Sequence, residues 1–280
     1  MKRLIVLLGV AGVSLSALLV RWSTAPSLIL ALYRMVFAAA LMTPAALRGG
    51  SLSGLTRREL LLSLLSGAFL GLHFACYFEA LNRTSIASAV VLVDTEVLFV
   101  ALASALILKK KLSPRAWLAV LTAFGGGALV ALADRSGGTG ALTGDLIALA
   151  GAACVSVYTM LGAVCRERLS TTAYTYLVYL SASGTLLGIA LVTGTPLLGY
   201  GPVNLLTGLG LAVFCTLLGH SVFSWGLKYL PPAFISKVKL LEPVFSALYG
   251  LFLFAERPGG LVILGGALIL LGIGLYSQHT

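Results

Sequence analysis

"ALNRTSIASAVVLVDTEVLFVAL", Ala80 to Leu102, lies over "GLKYLPPAFISKVKLLEPVFSAL", Gly226 to Leu248, when the chain is slid on itself by 146 residues. Glu96 then falls on Glu242, Phe99 on Phe245, Ala101 on Ala247 and Leu102 on Leu248. Leucine and alanine matches are common in apolar sequence, so the weight rests on the two glutamates, each set inside a hydrophobic run where a charge is costly. A chain that repeats itself near its midpoint is expected to fold as two similar halves.

The rest of the chain says what those halves are made of. Of 280 residues, 59% are hydrophobic and 10% charged, and the mean hydropathy is +1.03. That apolar content exceeds what a soluble core needs. Runs long enough to cross the ~30 Å hydrocarbon layer recur from end to end. We place ten spans, near 4–20, 27–47, 60–81, 85–108, 115–133, 141–164, 172–193, 203–227, 231–254 and 259–276. Stretches such as "LLLSLLSGAFLGL" lack the alternation of a membrane β-strand, so the spans are helices. The opening "MKRLIVLLGVAGVSLSALLV" is read as the first span and not as a cleavable signal, because the repeat requires it.

The expected fold is therefore an all-α polytopic membrane protein with ten transmembrane helices. Five spans per half is an odd number, so the halves are inverted relative to each other. That arrangement is typical of secondary transporters, with the site near mid-membrane where the repeats meet. "DRSGGTGALTGD", Asp134 to Asp145, reads as the linker, giving an N-terminal five-helix repeat over 1–138 and a C-terminal one over 139–280. Glycine pairs at four-residue spacing, Gly67 and Gly71, Gly140 and Gly144, and Gly184 and Gly188, favour close helix approach.

The net charge of +10 reports topology. With the N-terminus on one side, twelve basic residues collect there, against Arg21, Arg83, Arg135 and Arg257 on the other. The positive-inside rule puts both termini in the cytoplasm, at the cytoplasmic (inner) membrane. Anionic lipid headgroups are the expected counter-charge, and nucleic acid is not a partner. Cys76, Cys154, Cys165 and Cys215 are scattered singly, without metal-ligand spacing, and read as packing residues. No cofactor or metal is implied.

Charges inside the spans are the functional signal: Arg34, Asp94, Glu96, Lys237, Lys239 and Glu242, with His73 and His220 as titratable companions. Each costs at least ~2.5 kcal/mol near the bilayer centre. Three acids and three bases cancel, which suggests mutual pairing or a hydrated cavity. Lys239 lies three residues before Glu242 on one helix face, while Lys237 points roughly 140° away. Pro243 falls at the centre of the ninth span, where it is expected to kink the helix and expose the Lys239 carbonyl. On a continuous helix Asp94 and Glu96 are about 200° apart, so Glu96 is assigned to the cavity and Asp94 to pairing with a base such as Arg34. His73 and Tyr77 share a face of the third span and are candidates for the lining, with Tyr158, Trp225 and Tyr249 as further aromatics.

Three stretches carry a resemblance to a known family. "APSLILALYRMVFAAALMTPAAL" (25–47), "LLEPVFSALYGLFLFAERP" (240–258) and "LGGALILLGIGLY" (264–276) resemble the EamA-type branch of the drug/metabolite transporter superfamily. The resemblance implies two inverted five-helix repeats, termini inside, a central cavity and alternating access. It also implies export of amino acids or related metabolites, with phosphorylated or nucleotide-linked solutes carried by relatives. Val97 and Lys110 depart from the pattern, standing where a proline and an acid would mirror Pro243 and Glu256.

The first functional expectation is a secondary exporter of small amphiphilic metabolites, amino acids above all, whose zwitterionic ends match carboxylates and bases in one cavity. Glu96 or Glu242 would exchange protons, since burial favours a neutral carboxyl. A transporter of phosphorylated solutes, bound by Arg34, Lys237 and Lys239, is the alternative. No GxxxxGK[ST] string supplies an ATP-driven engine, and neither GxSxG nor HExxH supports an enzyme. A non-transporting scaffold would leave the mid-membrane charges only a packing role.

Overall fold

The computed structural model describes residues 2–48, 52–106, 113–134, 139–226 and 241–276. Three spans of the first half are single helices: α1 (Lys2–Trp22), α2 (Ser27–Arg48) and α3 (Arg57–Arg83). The fourth is broken into α4 (Ile86–Val93) and α5 (Glu96–Leu106), and α6 (Pro114–Asp134) completes that half. The second half has α7 (Thr139–Arg166) and α8 (Thr171–Val192). Its eighth span runs as α9 (Pro202–Gly210), a π-helical stretch (Leu211–His220) and α10 (Ser221–Gly226). Then follow α11 (Glu242–Phe254) and α12 (Gly260–Tyr276). Among the described residues, six helices are long and apolar enough to cross a membrane unaided, and three more are shorter apolar helices. In lipid every backbone N–H and C=O must be paired within its own segment, so an apolar run of this length folds as a helix.

Helix starts are fixed by polar side chains at the ends of the spans. Thr56 and Glu59 form a reciprocal capping box before α3. Ser85 accepts from the Ser88 N–H at 3.1 Å before α4, and Ser170 from the Ala173 N–H at 3.2 Å before α8.

Helix packing reproduces the inverted repeat. α1 packs on the eighth span as its counterpart α7 packs on α3, and α2 packs on the eighth span as α8 packs on α3. The fourth span packs on α7 as α11 packs on α1. α2 with α8, and α6 with α12, are self-paired across the pseudo-twofold axis. Single residues follow the same rule. A Cβ on Gly9 would meet Val222 and Phe223 at 3.2 and 3.3 Å, and one on Gly151 would meet Cys76 at 3.3 Å and the Tyr77 nitrogen at 3.6 Å. Val222 and Phe223 stand 146 residues after Cys76 and Tyr77, but Gly151 stands only 142 after Gly9. The repeats therefore differ by four residues at their first helix, about one turn, which leaves the same face inward.

The α6–α12 seam shows why glycine is needed where backbones touch. A Cβ on Gly265 would lie 2.6 Å from the Gly126 carbonyl oxygen, and one on Gly272 2.5 Å from that of Ala119. Gly71 likewise packs on α8, where a Cβ would sit 3.0 Å from the Ala182 oxygen, and Gly67 faces Val178. Gly144 meets Arg83 and Thr84, whereas Gly140, Gly184 and Gly188 face open space, so only part of the four-residue pattern is used for packing.

Candidate functional site

A cavity of about 40 Å³ lies between the two repeats, lined by α1, α3, the fourth span, α7, the end of the eighth span and α11, together with Arg34 of α2. Its wall includes Arg34, His73, Tyr77, Asp94, Glu96 and Glu242. At ~10–15 Å³ per water on this measure, it has room for a few waters. Three pairs of wall residues, Phe74 and His220, Tyr77 and Phe223, and Glu96 and Glu242, are each separated by 146 positions. Phe74 and His220 meet edge to face, ring centroids 5.8 Å apart, so the pseudo-twofold axis runs through the cavity.

Arg34 is the anchor of this wall. It is 1% exposed. Its Nε donates to Thr216 Oγ1 at 2.7 Å and its Nη1 to Ser16 Oγ at 3.2 Å. The guanidinium carbon sits 3.9 Å from the Phe74 ring centroid, a cation–π contact strengthened by the absence of water. Nη2 is buried without a hydrogen-bond partner. The ion pairs found among the described residues are Arg21–Glu256 and Arg83–Glu79, so the expected pairing of Arg34 with Asp94 does not form. Thr216 reaches Arg34 from the π-helical stretch, where its hydroxyl also donates to the Leu211 carbonyl at 3.3 Å. Ser16, Phe74 and Thr216 were not singled out in the sequence, because nothing in the local pattern marks a serine, a threonine or a phenylalanine in an apolar run.

The fourth span brings Asp94 and Glu96 onto one wall because it is not continuous. Asp94 ends α4 in right-handed conformation, Thr95 Oγ1 donates to the Leu92 carbonyl at 2.6 Å, and Glu96 opens α5. The 200° separation expected on an unbroken helix therefore does not apply. Glu242 opens α11 in the same way, with Leu241 as its cap. Both carboxylates sit at the positive end of a helix dipole, facing one cavity. Pro243, placed by sequence at a mid-span kink, stands in the first turn of α11, where a missing N–H removes no helical bond.

Around the carboxylates, His73 Nδ1 lies 3.0 Å from the Gly151 carbonyl oxygen and its ring stacks on Tyr77 at 6.0 Å. Trp225 lies on α10, outside the cavity wall; Tyr158 stacks with Tyr174 and Tyr249 with Phe245. Lys237 and Lys239 lie outside the described residues.

Two stretches of the sequence, 2–132 and 142–278, match the model of the EamA-like transporter family. The chain belongs to the EamA-like transporter family. That family sits in the drug/metabolite transporter superfamily. An "uncharacterized transporter" of Archaeoglobus fulgidus is 27% identical over 228 residues, which span 78% of this chain and 76% of the relative. A solved crystal structure overlays with a TM-score of 0.67 at 21% identity, covering 98% of this chain and 95% of that one, a likeness of fold.

In this EamA-like transporter, charged groups tie the helix ends together at one end of the bundle. Arg21 at the end of α1 pairs with Glu256 at 3.1 Å and donates to the Thr84 carbonyl at 2.6 Å. Glu256 in turn accepts the Ile86 N–H at 3.0 Å, which joins the ends of α1, α3 and α11 to the start of α4. Ala255, at φ 54°, turns the chain so that Glu256 reaches back over α11, and its αL conformation costs about 1 kcal/mol. Trp22 packs on Phe254 beside the pair, ring centroids 6.3 Å apart. Thr84 Oγ1 also donates to Asp145 at 3.0 Å, tying in α7.

Proposed function

We propose that the chain is a secondary transporter of the cytoplasmic (inner) membrane, both termini cytoplasmic, that exports amino acids or related small amphiphilic metabolites by alternating access. The observation that supports this reading is the cavity on the pseudo-twofold axis, where one buried arginine faces three carboxylates from both repeats. Inverted repeats place the solute where their symmetric spans cross, and the two halves, 1–138 and 139–280, then rock about it. Under this assignment the Arg21–Glu256 end is the outer gate. Glu96 and Glu242 carry the coupling proton, releasing it when the solute's charge takes its place.

Counterflow in proteoliposomes tests the reading. Vesicles loaded with amino acids are expected to exchange labelled amino acid, and vesicles loaded with sugar phosphates are not. Exchange with phosphates alone would replace this cargo with phosphorylated solutes; silence with both would overturn the transport reading.

A further inference from the structure

A second cavity, of about 390 Å³, lies at the end of the bundle away from Arg21 and Glu256. The start of α3 and the turn between α7 and α8 form it, with Ser53, Leu55, Glu59, Arg168, Leu169 and Ser170 in its wall. That volume falls in the range of small-ligand sites. Two opposite charges share the wall without meeting: Arg168 attracts Glu59 across it, yet the ion pairs found among the described residues are Arg21–Glu256 and Arg83–Glu79. Glu59 is held in place, because its Oε2 accepts the Thr56 N–H at 2.9 Å and the Thr56 hydroxyl at 2.8 Å within the capping box of α3. Among the described residues nothing donates to its Oε1, and the Arg168 guanidinium donates to none of them. A donor fork and a carboxylate oxygen are therefore both open to one cavity.

Depth favours a lipid over a soluble solute. Leu60 and Leu61, which follow Glu59, are 37% and 55% exposed, and Leu65 is exposed one turn further along α3. On an apolar helix such leucines meet acyl chains, so the cavity sits at headgroup level, roughly one 5.4 Å turn from the hydrocarbon.

We propose that this cavity binds the headgroup of a phospholipid that carries a primary ammonium, with the phosphate on Arg168 and the ammonium on Glu59 Oε1. A guanidinium matches phosphate oxygens two at a time. An anionic headgroup without an amine meets the Glu59 carboxylate with no cation to offset it, and a quaternary ammonium has no N–H to donate. α3 belongs to the first half of the chain and the α7–α8 turn to the second, so the bound headgroup joins the halves at this end, as Arg21 and Glu256 do at the other. The site lies apart from the cavity between the repeats and does not depend on what is transported.

Native mass spectrometry tests this, with the purified full chain and equal amounts of phosphatidylethanolamine, phosphatidylcholine and phosphatidylglycerol of the same acyl chains. The ethanolamine lipid is expected to be retained about three- to tenfold more than either other. Glu59→Gln, which keeps the capping box, should abolish that preference, and Arg168→Gln should lower retention of the ethanolamine lipid about three- to tenfold. Equal or greater retention of either other lipid, or an unchanged result in either variant, would overturn the proposal. So would displacement of the lipid by an equal concentration of glycerophosphoethanolamine, because the site would then take a soluble phosphate ester. Should one variant not fold, the other variant and the ranking of lipids on the unaltered chain decide.

Discussion

The fourth and ninth spans occupy equivalent places in the two repeats, yet their sequences reach the same local geometry by different chemistry. In the fourth, the break at Asp94 and Thr95 is made by a side chain: the Thr95 hydroxyl binds the Leu92 carbonyl and ends α4 before Glu96 begins α5. In the ninth, α11 starts at Glu242 with Pro243 in its first turn, where the fixed φ favours helix initiation. Val97 stands opposite Pro243 in the repeat and brings no fixed φ to that position. The difference teaches that what both halves preserve is a carboxylate at the first position of an intramembrane helix, and that the residue breaking the chain is free to vary.

Equivalence of the two carboxylates can be broken most sharply by neutralising them singly. Glu242→Gln and Glu96→Gln are each expected to lower proton-driven flux tenfold or more while leaving the protein folded, as read by counterflow across a pH series. Wild-type flux at every pH in either variant would remove that glutamate from coupling and make the repeats functionally unequal.

A second contrast sets used glycines against unused ones. Gly265→Leu pushes a side chain into the Gly126 carbonyl and should cost about 1–3 kcal/mol in stability, seen as a lower unfolding midpoint in detergent. Gly184→Leu faces open space and should change it by less than about 0.5 kcal/mol. Equal effects would mean that the α6–α12 seam is not the tight contact of the fold.

Smaller still is the difference between the two helix starts. Thr95→Val removes the bond to Leu92 and should cost about 1 kcal/mol. Pro243→Ala adds an N–H at a position where none is needed and should cost about half as much, through the looser unfolded chain. Ala255→Gly is expected to stabilise by about 1 kcal/mol or less, since glycine enters the left-handed region without the Cβ clash. A loss of stability there would show that the Ala255 methyl group, and not the turn, holds the Glu256 end in place.

Much of this architecture was legible in sequence. Apolar runs gave the spans, and Glu96 over Glu242 gave the repeat, because an intramembrane acid is rare enough to be informative. Arg34, His73, Tyr77, Asp94, Glu96 and Glu242 were named as lining candidates or as charges inside spans, and all border the cavity. The break in the fourth span was hidden because "VVLVDTEVLFVAL" reads as one hydrophobic helix, and threonine signals a cap only when its hydroxyl's partner is known. The hydroxyl partners of Arg34 were hidden for a related reason: Ser16 and Thr216 lie 18 and 182 residues away, and only the packed bundle brings them together.

The π-helical stretch from Leu211 to His220 has a mechanical meaning. A π turn holds more residues than an α turn of the same height, so the eighth span carries slack. Rewinding part of it as α would advance the residues beyond it by about 1.5 Å each and swing them around the axis. Thr216, inside that stretch, is bonded to Arg34, so winding there and the grip on the guanidinium change together.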